Sequence, residues 1–586
     1  MGEWVKINRV MKNTVDYKKS SYQKWLAWAL LLFLSFTLSP CATAHVGSSG
    51  VVVQKQAGKY QLLISVQPPD VVPGTAKVTV FVQQGRASSI GGRPIYFQSG
   101  DEGAPTYDVL TPVDQNRYEG DLWLMESGSS SVELTIDGPD GKQQVVVPVV
   151  AVATALRDMP PGTGWGLAAM GLLLVVMLVT IIGASNADGV VAPGQGVPKT
   201  LRRRRLVGMG VGLAVVTLIL TGWRSWWNST ATDYREVQLY RPAPITTSVK
   251  VVDGQRQLTI QFDTTGFGKK EQLRRPYSFI LPDHGKLMHA FLVSMPGLDA
   301  FAHLHPVRRD TLHFEAMLPP LPGGRYLLFS DIVYRSGFTE TLTDTLELPS
   351  LKVSAEAVAR SRPTDRDDSW LVNEPMGESR PGGKAGAASV PHLDNDMVVC
   401  GKPGASMTLQ DGSTMLWMDK PGVDSPGQTL EVGKLYNLKF AVADAQGKAA
   451  ALEPYLGMPG HAAVLRSDGS VYIHLHPIGT YSMAAETSLS GRIADTSRTF
   501  RYPNAARFSD SIDTYVAKLR ALPEAEKNAL LAASMPGLNH VMKINNMVEF
   551  PYAFPRAGHY RIWVQVQRNG QVLTGVFDTE VKEPLF

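Results

Sequence analysis

Eleven of the twelve histidines lie beyond residue 280, and four of them form two copies of one tetrapeptide, His303-Leu304-His305-Pro306 and His474-Leu475-His476-Pro477. Residues two apart on a strand share a face, so each copy projects a pair of imidazoles that can chelate an ion. In the later copy, Ser467-Asp468-Gly469-Ser470 reads as a hairpin with a two-residue turn. Pairing Ser467 with Ser470 carries His461 opposite His476. In the earlier copy the connection from Ser294 to Asp299 is longer and fixes register less tightly, but an even register, such as one pairing His289 with His303, keeps the rings on one face. The sequence thus predicts two sites, His289 with His303 and His305, and separately His461 with His474 and His476. His284, Met288, Met458 and Met483 are candidates for a fourth ligand.

Three imidazoles suit Cu(II) or Zn(II), and a thioether would favour Cu(I); copper is the first expectation and zinc the alternative. A blue-copper electron-transfer site needs a thiolate, and the two cysteines, Cys41 and Cys400, are near neither pair. The same residues admit a purely structural account. Hydrogen-bonded histidines can end a strand, Pro306 and Pro477 can stop it, and the methionines can fill a core. His45 could chelate Cu(II) through its amine and ring if processing made it the first residue. His313, His392, His540 and His559 are isolated and read as structural, and Cys400 as an inert thiol.

The elements that must position these rings are short strands. At 586 residues, with 54 Gly and 39 Pro, the chain is too long for one domain and rich in turns. Basic residues from Lys6 to Lys24 precede an apolar run Trp25 to Leu38 and Ala42-Thr43-Ala44, which reads as a signal segment over residues 1–44. Strand patterns define modules at 45–158, 235–353 and 405–586, the last with a helical insertion, Ile512 to Ala533, broken at Pro523. Residues 354–404 read as a linker. Apolar runs at 165–184 and 206–223 are long enough to cross a membrane. Between them, residues 185–205 carry Lys199 and Arg202 to Arg205 against Asp188, so the positive-inside rule places that loop in the cytoplasm and the modules outside. Trp165, Trp223, Trp226 and Trp227 sit at the outer ends, where amphipathic rings prefer the headgroup level. The spans contain no Asp, Glu, Lys, Arg or His and read as anchors. A net charge of +4 gives no basic field for nucleic acid.

The opening His45-Val46-Gly47-Ser48-Ser49-Gly50, the stretch Leu122 to Leu134, the block Asp283 to Pro306 and the block Tyr455 to Pro477 resemble an uncharacterised bacterial membrane-anchored family. Its exported modules are similar to YtkA-like and CopC-like immunoglobulin-type domains. That resemblance implies three immunoglobulin-like β-sandwiches on the periplasmic side of the inner membrane and a role in metal handling. The leading expectation is a membrane-anchored copper-binding protein serving a metal transporter or a metalloenzyme under assembly. The alternative is a scaffold of immunoglobulin-like modules without metal. No G-x-S-x-G, H-E-x-x-H or phosphate-loop pattern supports an enzyme, although a copper oxidase remains a third reading.

Overall fold

The computed structural model describes residues 45–46 and 50–584, apart from 158, 193, 266–274, 352–362, 377–405, 419, 421–428, 498 and 534–544. The signal segment, Cys41, Cys400, His392 and His540 lie outside the described residues. The chain is mainly β. In the first module, Tyr60–Gln67 alternates buried and half-buried residues, the pattern of a strand with one face on a core. Two sheets of five and four strands enclose that core, which includes Tyr60, Ile64, Val80, Leu122 and Leu134. The strand Ser89–Tyr96 escapes sequence reading because its Gly-Gly and Pro break the usual pattern.

The second and third modules each pair a small sheet with a larger one. In the second, the larger sheet runs Ile280–Leu281, Gly324–Tyr334, His289–Ser294, Ala300–Leu304, Ser369–Val372, with Thr339–Leu348 also on Gly324–Tyr334. In the third, it includes Val471–Leu475, His461–Arg466, Gly558–Arg568 and Gln571–Lys582 in that order. The stretch read as a linker is therefore partly structural, since Ser369–Val372 pairs with Ala300–His303.

Strand parity explains how these two modules meet. Both hairpins are buried on both faces, so their apolar runs are nearly continuous. Ala290, Leu292, Ala302 and Leu304 enter the second module's own core, and Ala462, Val464, Ile473 and Leu475 the third's. The opposite faces, Phe291, Val293 and Phe301 from one hairpin and Ala463, Leu465 and Tyr472 from the other, form a shared cluster with Trp563. Phe301 stacks on Trp563 with ring centroids 4.8 Å apart. The faces that carry the histidines are thus turned toward each other.

Two helices, Pro161–Ala187 and Lys199–Asp233, contain the predicted spans and extend beyond them at both ends. Each is long and apolar enough to cross a membrane. Gly183 and Gly212 are buried where the helices approach one another. The chain enters and leaves this hairpin at one place, because Ala153 and Leu239 form a parallel bridge and the Tyr240 amide donates to the Ala153 carbonyl at 2.7 Å. The helical insertion comprises Ala505–Ala521 and Glu524–Ala533, divided at Pro523 as its sequence predicts, and is preceded by Met483–Ala494.

Candidate metal centre

The third-module hairpin has the expected register, with Ala462 opposite Leu475 and Ala463 opposite His474. The second-module hairpin is shifted by two residues from the pairing of His289 with His303. Ala290 opposes Leu304 and Phe291 opposes His303. An even shift preserves the face, so His289, His303 and His305 still converge. Phe291 and His303 stack at 4.1 Å with a 12° interplanar angle.

The two predicted sets lie side by side in one cluster, the first assembled as read and the second with His284 joining His461 and His476. Seven imidazoles, those of His284, His289, His303, His305, His461, His474 and His476, lie together between the modules and are at most 8% exposed. Two non-overlapping trios have ligand nitrogens within 4.8 Å of one another. One is His289, His303 and His305. The other is His284, His461 and His476, and it draws ligands from both modules. His474 lies beside both trios, with ring centroids 4.6 Å from His476, 5.4 Å from His461, 5.3 Å from His289 and 5.7 Å from His303.

His284 reaches the third module from a turn in which its φ is +49°. Leu456 holds the equivalent place in the other module at φ +53°, each residue being followed by a glycine of positive φ. Asp283 bridges Lys286, and Tyr455 bridges Met458, in the same way. The repeat is therefore symmetric in backbone and asymmetric in donors.

Fixed acceptors assign the protons on several rings. Gln565 Oε1 accepts from His303 Nδ1 at 2.8 Å, and the Asp283 carbonyl accepts from His289 Nε2 at 3.2 Å. A neutral imidazole has one N–H, so His303 Nε2 and His289 Nδ1 face each other at 3.1 Å as lone pairs. A proton or metal cation between them removes the repulsion. Asp368 accepts from His305 Nδ1 at 3.0 Å, which turns the unpartnered Nε2 toward the same space. In the other trio the Tyr481 carbonyl accepts from His476 Nδ1 at 2.9 Å, and His476 Nε2 lies 3.2 Å from His284 Nε2. His305 Nε2, His474 Nε2 and both nitrogens of His461 are buried with no hydrogen-bond partner among the described residues. Burial, reinforced by neighbouring imidazoles, holds His289, His303, His461 and His474 well below their ordinary pKa. Burial also lowers His284, and it lowers His476 to about 4. These six rings are neutral at pH 7, the state in which imidazole binds metal.

Much of the support crosses the interface or comes from segments that sequence reading passes over. Asp331 is opposite His289 in its sheet, and its Oδ2 lies 3.4 Å from His474 Nδ1 of the third module. Gln565, opposite His461, supports His303 of the second module. Each module thus orients a ring of the other. Burial raises Asp331 to about 7. The Asp-rich stretch at 365–368, inside the presumed linker, supplies Asp368 to His305 and binds a cluster of cations. Lys286 contacts Asp365 and Asp367 at 2.5 and 2.6 Å, Lys527 contacts Asp367 at 2.9 Å, and Arg520 contacts Asp365 at 2.9 Å. Burial would raise Asp365 and Asp367, but Lys286 and the other cations outweigh it and hold both carboxyls low. Lys527 and Arg520 come from the helical insertion, which is thereby fastened beside the centre. Asn528 adds a bond from the Gly457 amide at 3.1 Å and one to the Pro454 carbonyl at 3.0 Å.

The first module supports the turn after His476. The Gln54 amide donates to the Ile478 carbonyl and the Thr480 amide to the Val52 carbonyl, both at 2.9 Å. Gly479, at φ +138°, is required there, since a Cβ would lie 2.1 Å from the Val52 carbonyl oxygen. Lys55 pairs with Glu486 and donates to the Tyr481 hydroxyl at 2.9 Å.

The predicted thioether ligands are packed into cores. Met288 belongs to the second module's core, and Met458 and Met483 to that of the first. His45 begins the short strand His45–Val46. His313 lies 2.9 Å from Asp310, and His559 is exposed.

Residues 418–503, which include His461, His474 and His476, match the family model described as Domain of unknown function (DUF8832). Comparison with curated proteins finds no match. Solved structures with local likeness include dimeric latent PorU from Porphyromonas gingivalis, at 7% identity and TM-score 0.12, covering 92% of this chain and 34% of that one. Trypsin-activated alpha-2-macroglobulin from Escherichia coli matches at 10% identity and TM-score 0.13, covering 92% and 27%. This chain thus spans about a third of PorU and less of the macroglobulin. A bacterial ice-binding adhesin matches at 4% identity and TM-score 0.13, covering 87% of this chain and 92% of that one.

Proposed function

We propose that this chain is a membrane-anchored extracytoplasmic metal-binding protein, with copper as the first candidate ion and zinc the second. The observation that carries the reading is the convergence of His289 Nδ1, His303 Nε2 and His305 Nε2 as buried ring nitrogens whose opposite nitrogens are tied to acceptors. An unpaired buried polar group costs about 1–3 kcal/mol, and a cation shared by several offsets that cost at once. A nitrogen donor set with the methionines committed to cores suits Cu(II) or Zn(II) better than Cu(I), and at equal geometry Cu(II) binds more tightly. Acceptors behind the coordinating rings are the usual outer support of a metal site.

The two apolar helices anchor the protein in a bacterial inner membrane, with the basic loop cytoplasmic and the immunoglobulin-like modules on the periplasmic side. The burial of the centre favours a held ion over one in rapid exchange, so a transporter or metalloenzyme receiving the ion would have to act on an opened form. The test is calorimetric titration of Cu(II) or Zn(II) into the full-length, chelator-stripped protein in detergent, beside His461→Ala and His303→Ala variants. Submicromolar binding by the wild type that weakens in both variants is expected. Equal, weak binding by all three would leave a scaffold whose histidines are structural.

A further inference from the structure

Seven imidazoles exceed the needs of one ion. A closed site for a first-row ion such as zinc takes four ligands at about 2.0–2.1 Å, which sets their mutual separation near 3.4 Å in a tetrahedron. Within each trio the ligand nitrogens already lie within 4.8 Å, so small rotations complete either set. Between the trios, the His284 and His289 ring centroids are 6.2 Å apart. The two sets share no residue; the Asp283 carbonyl, Gln565 and Asp368 lie behind one and the Tyr481 carbonyl behind the other, while the Asp283 carboxylate lies 3.8 Å from His284 Nε2 between them.

Building on the metal-binding reading, we infer that the centre holds two ions in unlike sites. The first ion lies among His284, His461 and His476, with His474 as the fourth donor, since His474 is closest in ring separation to His476. This set closes an ion within four imidazoles and joins the two modules. The second ion lies among His289, His303 and His305, all from the second module, and keeps a coordination position for a small exogenous ligand such as water or hydroxide. The difference originates in the turn where His284 replaces the Leu456 of the other repeat. Four-imidazole closure belongs to ions that are held, whereas a three-imidazole set with a free position can bind and polarise a ligand.

The experiment counts zinc retained by the full-length protein in detergent after loading with Zn(II) and gel filtration, by elemental analysis against protein concentration. Two ions per wild-type chain are expected. His284→Leu installs the side chain that the second repeat carries at the same backbone conformation, and should retain one. His305→Gln should also retain one, and the double variant none. One ion in the wild type overturns the two-ion inference while sparing the metal-binding reading, and none removes both. Two ions retained by His284→Leu with unchanged affinity would refute the cross-module assignment. If a variant does not fold, the wild-type count decides.

Discussion

Without a bound ion this protein should be sensitive to mild acid. In the metal-free state the folded pKa of His476 is about 4, against 6.5 for the free side chain, because burial disfavours its charged form. The unfolded chain therefore binds a proton that the folded chain refuses throughout that interval, and stability falls as pH falls from 6.5 toward 4. Between pH 8 and pH 5, His476 alone accounts for about 2 kcal/mol of lost stability. His284, His289, His303, His461 and His474 are shifted in the same direction and add to the slope. Asp331 opposes it. Its carboxyl is raised to about 7 from 3.8, so its folded form gains relative stability as pH falls through 7. By the same arithmetic Asp331 returns about 2.6 kcal/mol over that interval, enough to cancel His476, and the five further buried rings make the net sign destabilising. For a 150–250-residue module, about 2 kcal/mol corresponds to a melting shift of about 4–8 °C, the scale of one such ring, so the metal-free melting temperature should fall between pH 8 and pH 5. Thermal melts followed by circular dichroism, with chelator and with saturating zinc at each pH, measure the effect. Zinc should suppress the shift near neutrality and lose its effect as protons displace it. A metal-free melting temperature that stays constant, or rises, from pH 8 to pH 5 would refute the electrostatic account of the centre.

Gln565→Leu should release the His303 ring from its fixed proton arrangement and weaken zinc binding about 10–100-fold, seen by titration, with zinc-free stability affected less. Lys527→Met should leave Asp367 with one fewer buried cation and lower unfolding free energy by about 3 kcal/mol in urea, whether or not metal is present. Gly479→Ala should cost about 1–3 kcal/mol from backbone strain and more from the clash with Val52, and should increase protease cleavage near the first module's contact with the third.

The histidines were legible because strand periodicity is a local property. His303 with His305, and His474 with His476, had to share a face, and the Asp468-Gly469 turn fixed the register of the third module. The six-residue connection in the second module carried no such constraint, and its register lies two residues from the pairing named from sequence. His284 could be proposed only as a neighbour, because its contribution depends on a positive-φ turn that aims it into the other module. The rings' partners were beyond local reading altogether. Asp331 and Gln565 reach across an interface between sheets far apart in sequence, and Asp365, Asp367 and Asp368 lie in a stretch whose composition resembles a linker. The strands themselves announced one buried face. That their second face meets another module could be suspected only from the continuous apolar runs His289–Ser294 and Ala300–Leu304.

The bridge between Ala153 and Leu239, together with the Val52, Gln54 and Thr480 contacts, closes the polypeptide into a loop whose far end is the helical hairpin. Scission between the two helices, anywhere in the basic segment, would sever the covalent path yet leave the parts before and after the hairpin clasped by their folded surfaces. Such a nicked molecule should migrate as two bands when denatured and as one particle when native, and the ends of its helices would still emerge side by side.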